Sequence, residues 1–288
     1  MSETRVRSTD RRDSALVDDI VFEGPDGTDV EAFLVRPAAV SGSAPAPAPA
    51  PGPGLVMWHW LDSEAPDGNR TQYLDEAAEL ASTGVVSLLP QGRFPWVMAP
   101  DNAANDAAAV MAEVARLRAG LDLLAARPDV DPARLGVVGH DFGGMIAAVA
   151  AAEEPRLRAL VIVAATPRWG DWFLPFWQIA DDRIEYLRAM RPLDPIERIG
   201  EASPASILMQ FAERDYYIAP MTAREFHRAA PEGTEMRMYD AGHDMRLPGI
   251  RADRAAFLVR CLAAHSDEAP AQPAQTSGRG RHHRMAEG

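Results

Sequence analysis

The 288-residue sequence predicts an α/β fold: a mostly parallel central sheet flanked by helices, with a small aromatic-rich cap insertion. Three observations carry this. Downstream of residue 54, apolar strand patterns alternate with helical ones, as βα units require. Leu55-Val-Met-Trp-His-Trp is a continuous apolar run, the pattern of a strand covered on both faces. Finally, Gly139-His-Asp-Phe-Gly-Gly joins an apolar run (Arg134-Leu-Gly-Val-Val-Gly) to an alanine-rich helical run beginning at Met145. That is a strand, a tight glycine-flanked turn and a helix.

Composition narrows the chemistry before any site is located. A net charge of -13 and a pI near 5.0 argue against nucleic acid and anionic membrane as partners. All 29 basic residues are arginine, so Schiff-base, P-loop and lysine-base chemistry are excluded. The single cysteine, Cys261, rules out an intramolecular disulfide and a cysteine metal cage, and reads as a small hydrophobe on the last helix. Nothing calls for a cofactor or a metal. The N-terminus lacks an apolar signal core, and no run is long enough to span a bilayer, so a cytoplasmic location is expected. The expected partner is a small-molecule substrate, with a homodimer left open.

Along the chain, residues 1–15 are polar and are expected to be disordered. Residues 16–264 form the predicted domain, and the Pro-, Gly-, Arg- and His-rich residues 265–288 read as a disordered tail. Leu16–Phe22 and Val30–Arg36 pattern as strands around the turn Glu23-Gly-Pro-Asp-Gly. The Pro/Ala-rich residues 41–54 cannot pack a core and read as an extended surface loop. Strands follow at Val85–Leu89, Leu135–Val138, Leu160–Ala164, Ile207–Phe211 and Glu235–Tyr239. Helices are predicted over Gln72–Ser82, Asn102–Ala126, Phe142–Ala152, Ala223–Ala230 and Ile250–Ala264. Residues 166–203 break the rhythm with Trp169, Trp172, Phe173, Phe176, Trp177 and Tyr186. Such a stretch either lids an apolar site or packs a small core of its own.

Three polar residues fall at successive strand ends. Asp141 is at the centre of the glycine-flanked turn. Asp215 follows the strand ending at Phe211, with Glu213 as a rival. His243 follows the strand ending at Tyr239. Nucleophile, acid and histidine in that order form a catalytic triad, with an aspartate as the first member.

These stretches, with Gln210-Phe-Ala-Glu-Arg-Asp and Tyr239-Asp-Ala-Gly-His, resemble the α/β-hydrolase superfamily in its dienelactone-hydrolase-like branch. The resemblance covers roughly residues 16–264 and implies the α/β-hydrolase fold. Dienelactone hydrolase itself has cysteine at the elbow, so its own reaction does not carry over. The His-Asp elbow is similar instead to epoxide hydrolases and haloalkane dehalogenases, where the aspartate is the nucleophile. Two departures stand out. Phe142 replaces the tryptophan that generally follows that aspartate, and His59-Trp60-Leu61-Asp62 replaces the His-Gly-x-Pro of many epoxide hydrolases.

A carboxylate attacking an ester carbonyl would form an uphill anhydride. Attack on an sp³ carbon with a good leaving group gives a stable alkyl ester. His243, oriented by Asp215, would then activate the water that hydrolyses it. Oxyanion donors are expected from the N–H of Phe142 and from Trp60 or Leu61. The substrate pocket is expected to draw on His59, Arg93, Trp169, Trp172, Trp177, Tyr186 and Tyr216. Epoxide opening needs an acid, with Tyr186, Tyr216 and Tyr217 as candidates. Halide release needs N–H donors, with Trp60, Trp169, Trp172 and Trp177 as candidates. The missing tryptophan beside Asp141 tips the expectation to an epoxide. Alternatives are a dehalogenase, an esterase or lactonase, a ring-opening enzyme that adds no water and a domain that only binds.

Overall fold

A computed structural model describes residues 4–38, 50–62, 65, 67–93, 102–176, 183–203 and 206–263. In chain order the strands are β1 (Arg5–Arg12), β2 (Ala15–Glu23), β3 (Asp29–Pro37), β4 (Gly52–Trp58), β5 (Val86–Pro90), β6 (Val130–His140), β7 (Leu157–Val163), β8 (Ser206–Ala212) and β9 (Glu235–Tyr239). The helices are α1 (Leu74–Ala81), α2 (Ala103–Ala125), α3 (Phe142–Ala151), α4 (Trp169–Phe176), α5 (Arg183–Met190), α6 (Pro195–Arg198), α7 (Pro220–Ala229) and α8 (Pro248–Ala263). Among the described residues no helix is long and apolar enough to cross a membrane.

The strands form one sheet in the order β1-β2-β3-β5-β4-β6-β7-β8-β9. Pairing is antiparallel from β1 to β5 and parallel from β5 to β9. The connection leaving β4 runs to β5 on one side and that leaving β6 runs to β7 on the other, so the chain switches direction between these two neighbours near the middle of the sheet. Ligand sites of open α/β sheets form at such a point, outside the carboxyl ends of the strands.

Both faces of the central strands are covered, as their unbroken apolar runs require. In register, Gly54 lies beside Leu135, and its missing Cβ would meet Leu124 of α2. Gly136, one residue on and therefore on the other face, abuts Leu262 of α8. Helices α2 and α3 thus pack on one face, with α1 and α8 on the other. Arg254 of α8 is buried, makes a bidentate bond to Glu76 of α1 at 2.6 and 2.8 Å, and reaches Gln210 of β8 at 2.8 Å. That network fixes α8, and hence the loop entering it, against the end of β8.

Two expectations change. Residues 5–12 are not disordered but pair along β2 as an edge strand, with every residue exposed. Gly52–Gly54, assigned to the Pro/Ala-rich loop, already belong to β4. The rest of that loop before residue 50 and the tail from 265 lie outside the described residues.

Candidate active site

Asp141 sits in the one-residue elbow between β6 and α3, at φ 50° and ψ -115°. A non-glycine residue with positive φ is strained and persists only where its surroundings force it. The forcing here is backbone packing. A Cβ on Gly139 would lie 2.3 Å from the Gly143 carbonyl oxygen, and one on Gly143 would lie 2.5 Å from that of Trp58. The amide of Asp141 donates to Val163 O at 2.8 Å, tying the elbow to the end of β7. Its carboxylate is thereby held above the sheet at the N-terminus of α3, where the helix dipole favours negative charge.

The other two triad candidates converge on it. His243 Nδ1 donates to Asp215 Oδ2 at 2.9 Å, and its Nε2 lies 3.6 Å from Asp141 Oδ1. Asp215 is fixed from behind by the amides of Tyr217 and Ile218, at 2.8 and 3.1 Å. The rival Glu213 is exposed, with its backbone bound to Tyr239 O, and takes no part. Burial alone would lower the His243 pKa, but the carboxylates of Asp141 and Asp215 outweigh it and raise the value to about 10. The resting site therefore holds an imidazolium between two carboxylates at neutral pH.

Trp172 closes the site from above. Its indole Nε1–H donates to Asp141 Oδ1 at 3.0 Å, and its ring meets Phe142 edge to face at 5.1 Å. Asp141 is consequently only 4% exposed.

The remaining predicted residues divide sharply. Trp60 stacks on His140 at 5.3 Å and lies against His243 at 5.9 Å, so its ring forms a wall of the triad. Its backbone N–H, however, donates to Gln72 Oε1 at 2.8 Å, which removes it from the expected oxyanion pair. His59 does not reach a substrate position either. It is 1% exposed, and its Nδ1 donates to Trp60 O while its Nε2 accepts from Gly92 N. Burial lowers its pKa to about 4, so it is a neutral clip between the ends of β4 and β5.

Arg93 turns outward to Thr28 Oγ1 and Asp29 O at the β2–β3 turn, away from the triad. Trp169 is fully buried, with its indole N–H on Leu193 O and its backbone N–H on Asp194, and its ring meets Phe142 at 5.2 Å, so it packs the insertion onto the elbow. Tyr186 donates to Asp106 Oδ2 at 2.5 Å, anchoring α5 to α2, and this together with burial pushes its phenol pKa up. Tyr216 is 82% exposed, whereas Tyr217 sets its ring edge against His243 at 4.9 Å. Trp177 lies outside the described residues. The insertion thus does both things open to it: Trp169 and Tyr186 pack its interior, and Trp172 covers Asp141. Gln72 is the residue sequence reasoning passed over, because a polar side chain in a helix-entry turn has no distinguishing pattern.

Compared with known proteins, the dienelactone hydrolase family model matches residues 46–244. No curated protein matches. Among solved structures, the acetyl xylan esterase from Paenibacillus sp. R4 superposes with a TM-score of 0.72 at 20% identity, over 91% of this chain and 89% of that one. Acetyl xylan esterase 1 from Thermoanaerobacterium sp. JW/SL YS485 gives 0.68 at 17% identity, covering 91% and 88%. The α/β hydrolase GrgF from Penicillium sp. sh18 gives 0.64 at 16%, covering 86% and 99%. At these identities the likeness establishes the α/β-hydrolase fold and nothing finer.

Proposed function

We propose that this chain, which belongs to the dienelactone hydrolase family, hydrolyses a small hydrophobic molecule by nucleophilic displacement at an sp³ carbon, with Asp141 as the nucleophile. It is an α/β-hydrolase enzyme, and the open question is what a carboxylate at the elbow can do. Attack on an acyl carbon would leave an anhydride, more reactive than the ester it came from. Attack on a saturated carbon leaves an alkyl ester that persists until water is activated.

The observation that carries the reading is the line-up on one oxygen. Asp141 Oδ1 has the Trp172 indole N–H at 3.0 Å and His243 Nε2 at 3.6 Å. A carbon entering between Oδ1 and the indole would carry its leaving group on the indole side, collinear with the attacking oxygen. The O–C bond forms as the carbon–leaving-group bond breaks, and the departing anion meets an N–H donor. Once Asp141 is esterified, His243 releases its proton to solvent and then takes one from water, hydroxide attacks the Asp141 carboxyl carbon, and the oxyanion is held by the Phe142 and Leu61 amides. Products are an alcohol, the free anion and a proton.

An N–H that meets the leaving group suits a halide, which departs without needing a proton. Of the phenols considered for epoxide opening, Tyr186 is committed to Asp106 and Tyr216 points to solvent. Tyr217, against His243, keeps epoxide opening as the second reading.

The test is a substrate panel of short bromo- and chloroalkanes, terminal epoxides, and p-nitrophenyl acetate with a simple lactone. Halide release at a rate that saturates with substrate is expected. Diol formation without halide turnover would select the epoxide reading. Turnover of the acyl substrates alone would overturn displacement at saturated carbon.

A further inference from the structure

We propose that Gln72 and His140 are positioning residues that set the place of the His243 imidazole over Asp141 through a one-way hydrogen-bond chain linking three active-site loops. Trp60 N donates to Gln72 Oε1 at 2.8 Å. Gln72 Nε2 lies 2.6 Å from His140 Nδ1, and His140 Nε2 lies 3.0 Å from the His243 carbonyl oxygen. The chain runs from the loop after β4, through the turn before α1 and the last residue of β6, to the loop after β9.

Every link has its direction fixed by elementary chemistry. A backbone N–H only donates, so the Gln72 atom facing Trp60 is the carbonyl oxygen. The other end of that amide is then an NH₂, which only donates, so His140 Nδ1 must accept. His140 is therefore the Nε2–H tautomer, and that proton is the one that reaches the His243 carbonyl. No flip of the amide or of the ring keeps all three bonds.

The geometry says what this device does. His140 immediately precedes Asp141, and it is 1% exposed, held against the Trp60 ring. It grips His243 by the backbone, not by the ring, so it fixes where the imidazole starts. His243 Nε2 stops 3.6 Å from Asp141 Oδ1, just beyond hydrogen-bond length. The chain also turns the Trp60 amide away from the oxyanion site.

Protonating His140 would place an N–H against the Gln72 NH₂ and break the chain. The groups around it oppose that. Burial, the His243 imidazolium on the loop after β9, Arg254 of α8 and Arg246 all hold its pKa well below the usual histidine range, while the His243 carbonyl acts the other way. Asp141 is its neighbour in the chain, and among the described residues no aspartate or glutamate is bonded to its ring.

This inference concerns the site read above as that of a displacing hydrolase, yet its main test needs no substrate. Long-range ¹H–¹⁵N correlation spectra of the full chain should show His140 neutral and protonated on Nε2 alone through neutral pH. In Gln72→Met, which keeps length but removes both bonds, His140 should keep the Nε2 proton that the His243 carbonyl requires, while its Nδ1 resonance shifts as the Gln72 donor is lost. The His243 titration midpoint should then move by a resolvable amount, while thermal unfolding confirms an intact fold. Gln72→Glu should do the opposite and hold a proton on His140 Nδ1. On a turned-over substrate, Gln72→Met should lower kcat roughly tenfold with KM little changed, as loss of the oriented hydrogen bonds predicts. An Nδ1–H tautomer in the native chain, or an unmoved His243 midpoint in Gln72→Met, would overturn the proposal. Either outcome is independent of whether Asp141 forms an ester.

Discussion

Replacing Asp141 by asparagine is expected to lower kcat at least about 10⁴-fold while leaving the fold in place, because nucleophile removal costs a unit of catalysis that binding alone cannot supply. The substitution is close to isosteric. Asparagine tolerates positive φ better than most residues, so the strained elbow at φ 50° can survive. The amide oxygen can still accept the Trp172 N–H, so the cap keeps its anchor. What is lost is the nucleophile and one of two carboxylates supporting the His243 proton. Steady-state kinetics, circular dichroism and intact mass, to confirm that the amide persists, make the measurement. Activity within tenfold of the native enzyme would mean that water attacks substrate directly.

The second large effect concerns His243. Its replacement by glutamine should leave the displacement step working but stop hydrolysis of the ester, lowering steady-state turnover by about 10³-fold, within the usual range for a lost general base. A burst of one leaving group per enzyme should be followed by near silence. The peptide containing Asp141 should gain the mass of the alkyl group. A histidine with a pKa raised to about 10 is a poor base at neutral pH, which looks like an objection. It is answered by the intermediate. Esterification removes the charge of Asp141, and with it one of the two carboxylates that outweigh the cost of burial. The His243 pKa must then fall, so the base becomes available only once there is an ester to hydrolyse. Accordingly, kcat/KM should be flat through neutral pH where displacement limits it, while kcat should rise as the alkyl-enzyme loses its imidazolium proton. Loss of the burst together with turnover would contradict this division of labour.

Legibility from sequence tracked whether a residue's job is written in its neighbours. The elbow was legible because glycines at 139 and 143 are demanded by backbone contacts far too close for any side chain. Asp215 was legible because it follows the apolar run of β8, and His243 because it follows the alternating β9 in the glycine-containing turn Asp240-Ala-Gly-His. Strand β1 was not, since an edge strand with every residue exposed pairs through backbone alone and shows no burial period. His59 and Arg93 were misplaced for a common reason. Both lie at the carboxyl end of the sheet, but sequence does not say which way a side chain turns. His59 is captured by two backbone groups and Arg93 by the β2–β3 turn. Among the aromatics of the insertion, composition could not separate Trp169, bound to Leu193 O, from Trp172, bound to Asp141. Only the fold distinguishes the residue that packs the cap from the one that seals the site.

The measurement bearing most directly on the mechanism is a turnover experiment in H₂¹⁸O with enzyme in excess over a productive substrate. If Asp141 supplies the new oxygen, the first alcohol formed contains ordinary oxygen, and the Asp141 carboxyl gains the heavy isotope as water cleaves its ester. If the heavy isotope appears in the alcohol and the Asp141 peptide stays unlabelled, the carboxylate is not the nucleophile.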